Sequence, residues 1–231
     1  MSRLKIVVEG PTEREFVNNV LAPYLHDQEV YTQPIVVSAS RARRSQDQLG
    51  GGGSFGKTLR TIRDTLRNDR SAYCTTMVDY YSLPADYPGL DADDCPPSSQ
   101  LYDRIDCLER RLAEAIGDTH RFVPYLQAHE FEALLFSDVE VIDRALRMHG
   151  PVGSRLDDLQ SIVDHFDNPE WIDDGAETAP SKRLKGLFPR YDKVLHGEMI
   201  AYDIGLHRIR EACPHFDSWV TRLGSLAPLN A

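Results

Sequence analysis

The chain has 231 residues, of which 41% are hydrophobic and 27% charged, and it carries a formal net charge of −10. That length suits one α/β core with an appendage. The acidic balance excludes a protein that grips nucleic acid unaided by neutralising phosphates, and no stretch approaches the ~20 consecutive apolar residues of a membrane span.

The N-terminus, MSRLKIVVEG, has a basic start but an apolar run broken by Lys5. This is too short for the hydrophobic region of a secretory signal, so a cytoplasmic location is expected. Residues 4–8 (LKIVV) read as a strand. Over 12–27, Phe16, Val17, Val20, Leu21 and Leu25 recur at helical spacing, with Thr12 and Glu15 in the form of a capping box. PIVVS (34–38) reads as a second strand, followed by a polar, glycine-rich stretch through Gly53, and Leu59, Ile62 and Leu66 predict a helix over 55–69.

YCTTMVDYY (73–81) is β-branched and aromatic and reads as a third strand. The acidic, proline-rich SLPADYPGLDADDCPPSS after it is too long and irregular for a simple connection, and such loops are usually functional. LYDRIDCLERRLAEAIG (101–117) is an amphipathic helix stopped by Gly117. RFVPYLQ (121–127) reads as a fourth strand, irregular at Pro124. HEFEALLFSDVEVIDRALRMHG then predicts a helix broken near Ser137 and Asp138, and further helix signals lie near 154–165, 180–188 and 203–224. The four cysteines, Cys74, Cys95, Cys107 and Cys213, form no C-x-x-C pair and read as reduced thiols.

Strands alternating with helices predict a four-stranded, mainly parallel sheet flanked by helices: an α/β domain over 1–136 and a helical C-terminal extension over 137–231 packed on it. Right-handed crossovers bring the C-terminal ends of parallel strands to one edge, where α/β proteins bind ligands. Glu9 leaves the first strand there, Asp79 the third, and His129, Glu130 and Glu132 follow the fourth. Carboxylates brought that close repel one another unless a cation lies between them. The hard ions Mg²⁺ or Mn²⁺ suit carboxylate oxygens. Glu130 and Glu132 are two apart and diverge on a regular helix, so either the helix begins between them and both face one site, or one binds metal while the other supports it or caps a helix; Glu130, nearer the strand end, is the favoured ligand.

VVEGPTE resembles the first motif of the TOPRIM fold, in the E-G-x-T-E form of overcoming-lysogenization-defect type nucleases, and MVDYY stands where TOPRIM domains carry D-x-D. More specifically, VEGPTEREFV, TTMVDYYSLPADYPG, PYLQAHEFEALLFSD, FPRYDKVLHG and IGLHRIREACPHFDSW together resemble the TOPRIM-like family called domain of unknown function 4276. The resemblance covers nearly the whole chain. It implies a TOPRIM-like (Rossmann-like) fold and metal-assisted phosphodiester hydrolysis of nucleic acid, with Glu9 as metal ligand or general base and Asp79 as Mg²⁺ ligand. Glu13 matches the last acid of E-G-x-T-E. Tyr81 takes the place of the second D-x-D acid and is a poor Mg²⁺ ligand, so Glu13, Glu130, Glu132 or Asp86 must complete the shell. Lys57, Lys182 and Lys185 are candidate phosphate-binding residues.

Similar small TOPRIM proteins are paired with a separate ABC-type ATPase in phage defence, which implies an effector dependent on such a partner. Basic SRARRS (40–45) and SKRLKGLFPRYDK (181–193) offer local positive field, and homo-oligomerisation is left open. Two other readings stand beside this one. The first is a TOPRIM-fold binding module without catalysis, for which Tyr81 argues. The second is a P-loop protein, since GGGSFGKT (51–58) fits G-x-x-x-x-G-K-[ST]. A P-loop joins strand directly to helix, however, and here about a dozen polar residues intervene. HEFEA lacks the second histidine of a zinc-protease motif.

Overall fold

A computed structural model describes residues 1–37, 55–91, 95–148, 153–173, 175 and 178–229. The SRARRS segment and the start of GGGSFGKT lie outside the described residues. β1 (Ser2–Val8), β2 (Val30–Val36), β3 (Ala72–Asp79), β4 (Phe122–Val123) and β5 (Leu126–Gln127) form one sheet in the order β2-β1-β3-β4, with β5 also paired to β3. Every pairing is parallel. Parallel strands are buried on both faces, and β3, buried at all eight positions, shows the consequence.

The period of two sorts the strand residues between two cores. Leu4, Ile6, Val8, Tyr73 and Met77 face one cluster, shared with Phe16, Leu21, Ile200, Phe216 and Trp219. Val7, Cys74, Val78 and Leu126 face the other, shared with Ile62, Leu66, Ile105, Leu108 and Leu112. The second face is therefore covered by α3 (Gly56–Asn68) and α4 (Leu101–Ile116). The first is covered by α1 (Pro11–Phe16) and α2 (Ala22–Asp27), and by helices from beyond the expected boundary at 136: α5 (Val139–Met148), α6 (Leu156–Val163), α7 (Pro180–Leu187), α8 (Lys193–Ile204), α9 (Leu206–Ala212) and α10 (Pro214–Gly224).

Several expectations need correction. The helix expected over 12–27 starts at Pro11 with Gly10 as N-cap and no side-chain cap, so Thr12 is a buried inner residue and not half of a capping box. Proline at the first position supplies a preset φ and has no N–H to satisfy. A π-helical segment, Val17–Leu21, joins α1 to α2. The fourth strand is split at Pro124. The Thr76 hydroxyl donates to the Tyr125 carbonyl at 2.7 Å and accepts its N–H at 3.0 Å, replacing the ladder that proline interrupts. The expected helix after His129 begins instead as a 3₁₀ helix, Phe131–Ser137, before α5.

The helix expected over 203–224 is three helices, α8 to α10, beginning ten residues earlier at Lys193. Gly205, at φ +82°, ends α8, and Pro214 opens α10. Finally, Cys95 and Cys107 are not thiols but a disulfide that ties the acidic segment to α4, while Cys74 and Cys213 are free and buried. Cys107 stands twelve positions after Cys95, within α4, which opens between them at Leu101 and brings their Cα atoms to 5.7 Å.

Candidate functional site

The topology places the C-terminal ends of β1 and β3 side by side, because Val8 is in register with Met77. Glu9 follows β1, Gly10 and Pro11 turn the chain, and Glu13 lies in the first turn of α1. Space at this turn is tight: a Cβ on Gly10 would come within 3.3 Å of Glu13 Oε2. Asp79 ends β3, and its Oδ1 accepts the Phe131 N–H at 3.0 Å, which draws the 3₁₀ helix Phe131–Ser137 onto the strand end. Glu132, fully buried, follows from that attachment.

Glu130 and Glu132 part where the 3₁₀ helix begins, between them. Glu132 turns inward, where Oε1 accepts the Tyr191 hydroxyl at 3.3 Å. Glu130 turns outward and its Oε2 accepts the Ser181 N–H at 3.0 Å, capping the start of α7. The structure thus gathers Glu9, Glu13, Asp79 and Glu132 and directs Glu130 elsewhere, so of the two neighbouring acids it is Glu132, not the expected Glu130, that faces the site. Asp86 is also used elsewhere, accepting the Phe55 N–H at the start of α3 at 2.7 Å. Tyr81 is exposed, and its N–H donates to the His129 carbonyl. His129 lies in the left-handed region at φ +56°, with Nδ1 3.1 Å from Asp173 Oδ2. Lys57 is exposed in the first turn of α3, and Lys182 and Lys185 are exposed on α7.

The cation that meets the acids is Lys193, a residue the sequence reading missed. Its Nζ lies 3.3 Å from Glu13 Oε1, 3.2 Å from Asp79 Oδ2 and 3.1 Å from Glu132 Oε2. Lys193 is the first residue of α8, and the Asp192 side chain accepts the Leu195 N–H at 2.9 Å as N-cap. That Asp-Lys step was the available signal, since Asp is a favoured N-cap and Gly205 supplies the stop; a predicted helix over 193–204 would have set Lys193 at its start. Gly197 lets α8 approach, because a Cβ there would stand 3.1 Å from Thr12 Cγ2 and 3.2 Å from Phe131 Cε1.

Four carboxylates against one ammonium leave an excess of negative charge, and the proton affinities register it. Burial pushes Asp79 well above the ordinary carboxylate range, and repulsion from Glu9, Glu13 and Glu132 adds to this while Lys193 opposes it. Glu9 retains exposed surface at the mouth, yet the protein around it strips water and, with Glu13 nearby, pushes it up to about 7. Burial and Glu130 raise Glu132 against the pull of Lys193. For Lys193, burial disfavours the ammonium, but Asp79, Glu132 and Glu13 together outweigh burial and raise it.

An all-carboxylate donor set fits a hard divalent cation such as Mg²⁺ or Mn²⁺. Glu132 Oε2 supports the fit: it is buried with no partner of hydrogen-bond geometry, and the Lys193 ammonium lies 3.1 Å away. Among the described residues no group of three or more His, Cys, Asp or Glu is already arranged to hold a metal ion. The oxygens instead surround an ammonium at 3.1–3.3 Å, wider than the ~2.1 Å of Mg²⁺–oxygen bonds.

Among solved structures, the C-terminal region of the Burkholderia pseudomallei OLD protein resembles this chain with a TM-score of 0.50 at 15% identity, over 96% of this chain and 97% of that one. This bears out the α/β fold with a parallel sheet flanked by helices. The C-terminal region of the Xanthomonas campestris pv. campestris OLD protein, at 19% identity, 96% and 98% coverage and a TM-score of 0.41, is a more distant likeness. No curated protein matches. Among the described residues no helix is long and apolar enough to cross a membrane. The model of the domain of unknown function DUF4276 matches residues 8–224, and the chain belongs to that family.

Proposed function

We propose that the protein is a metal-dependent nuclease of TOPRIM type, hydrolysing phosphodiester bonds at the rim formed by Glu9, Glu13, Asp79 and Glu132. The observation that carries this reading is the meeting of four carboxylates from three separate segments at the C-terminal edge of a parallel sheet, an expensive arrangement that a divalent cation relieves. Asp79, Glu132 and Glu13 would hold Mg²⁺ or Mn²⁺, which when bound supplies Lewis-acid activation of water and of the phosphate. The chain's own residues do the rest. Glu9, whose proton affinity is raised to about 7, would take a proton from the attacking water. The Phe131 N–H fixes Asp79.

The likeness to the C-terminal region of the Burkholderia pseudomallei OLD protein supports the fold on which this site is built. The net charge of −10 gives such a nuclease little hold on nucleic acid at physiological salt. A separate ABC-type ATPase, as in phage-defence pairs of small TOPRIM proteins, would deliver the substrate.

The decisive assay incubates plasmid DNA and tRNA with the protein and Mg²⁺ or Mn²⁺, with and without an ABC-type ATPase encoded beside it. Cleavage lost on chelation and in Glu9→Gln and Asp79→Asn is the expected result. No cleavage under any of these conditions, with Mn²⁺ binding absent, removes the nuclease reading. A second reading is favoured by Tyr81, exposed where D-x-D enzymes carry their second acid. In that case the fold is a binding module, and Glu9→Gln leaves its cellular function unchanged.

A further inference from the structure

We propose that Lys193 is an internal competitor for the metal: its ammonium occupies the centre of the acid ring in the metal-free protein and leaves when a divalent cation loads. The proposal rests on the metal reading above. Lys193 Nζ is shared among Glu13, Asp79 and Glu132 at 3.1–3.3 Å, all longer than the 2.7–2.9 Å typical of a charge-assisted hydrogen bond. One of the three, to Asp79 Oδ2, is a hydrogen bond; the other two are ion-pair approaches, and Glu132 Oε2 has no partner of hydrogen-bond geometry.

The route out is also visible. The Lys193 side chain is 34% exposed, whereas the Glu132 side chain is fully buried. Its neighbours Val194 and Leu195 face solvent. The backbone under it stays in place, since the Asp192 cap and the close packing at Gly197 fix α8 independently of the ammonium. A lysine stem is long, flexible and ends in a strongly hydrated charge, so it can swing to water without moving the helix. The ring sets four carboxyl groups against one ammonium, so a divalent ion that displaces their protons balances more of it than one ammonium can. The two cations cannot share the ring at contact distance without repulsion.

Calorimetric titration of the metal-free protein with Mn²⁺ tests this. Lys193→Met should bind Mn²⁺ at least about tenfold more tightly than wild type, the scale of removing a like charge at contact distance, while Lys193→Arg, which keeps the charge, should not tighten it. If wild type binds Mn²⁺ and Lys193→Met binds equally or more weakly, the competitor role is wrong and the metal reading survives. If neither binds, both fall together. Amine acylation of wild type, followed residue by residue by mass spectrometry, needs no variant. Labelling of Lys193 should rise several-fold on adding Mn²⁺, and an unchanged or slower rate overturns the proposal.

Discussion

Glu130 and Glu132, two residues apart, separate cleanly by the atoms they touch. Glu130 accepts a backbone N–H at the start of α7, a contact of the helix-cap kind. Its replacement by Gln should cost about 1 kcal/mol of stability and leave Mn²⁺ affinity within about twofold. Glu132→Gln removes a buried charge from the ring itself and should weaken Mn²⁺ binding by more than about tenfold, as expected for an ion's direct ligand. Calorimetry on the two variants separates these outcomes, and equal losses would mean that Glu130 also reaches the metal. Glu9 and Asp79 were legible because strand ends are legible: an apolar run terminated by an acid needs only the rule that parallel strands point their ends to one edge. The choice between Glu130 and Glu132 turned on whether the segment began as a 3₁₀ helix. Lys193 was missed because a cation that meets acids from β3, α1 and the 3₁₀ helix is close to them only in space. Gly197, the last residue of the FPRYDKVLHG block, is what lets it arrive. Gly197→Ala would gain up to ~1 kcal/mol of helix propensity. Overpacking against Thr12 and Phe131 costs typically 1–3 kcal/mol, so a net loss of roughly 1 kcal/mol in urea unfolding is expected.

Between elements, the joints were harder to read than the elements. RFVPYLQ had the composition of a strand and a proline that forbids a continuous one; the structure keeps both facts by making β4 and β5 separate and letting Thr76 serve the Tyr125 backbone in both directions. Tyr125 is then free to stack on Trp219 at 4.1 Å and on His215 at 5.1 Å, so the gap in the sheet becomes the seat of α10. Thr76→Val, near-isosteric and no worse as a strand residue, should cost about 2 kcal/mol by leaving a buried N–H and a buried carbonyl unpaired. Chemical denaturation reads it directly, and a loss under about 0.5 kcal/mol would mean the two backbone groups find other partners. The Cys95–Cys107 bridge is a joint of the same sort. Spacing gave no hint of it, because the closeness of the two sulfurs depends on where α4 starts relative to the irregular segment before it. For a loop of this length the bridge should contribute about 3 kcal/mol, so a dithiol reductant should lower the melting temperature of wild type and not of Cys107→Ser.

For the molecule as a whole, composition alone limits how nucleic acid can be engaged, and the acid ring shows where part of that negative charge is concentrated. A ring of compressed carboxylates also sets how the metal-free fold responds to pH. Glu9 is raised from 4.5 to about 7, and Asp79 and Glu132 are raised as well, so the folded chain binds protons more tightly than the unfolded one. A raised carboxyl contributes stability that is fully present below its unfolded value and is lost as pH climbs through its folded value. The Glu9 share should therefore be lost between pH 4.5 and about 7, the reverse of the usual salt-bridged carboxylate, while the net charge of −10 at pH 7 adds self-repulsion in the same direction. The melting temperature of the metal-free chain should fall as pH rises across that interval, and Glu9→Gln should flatten part of the fall. Saturating Mn²⁺ should reverse it, because a cation that binds only the deprotonated ring stabilises the fold more as protons leave. A metal-free chain whose melting temperature climbs steadily toward neutral pH would mean that Lys193 already balances the ring, and that these acids are the lining of an ordinary buried ion pair.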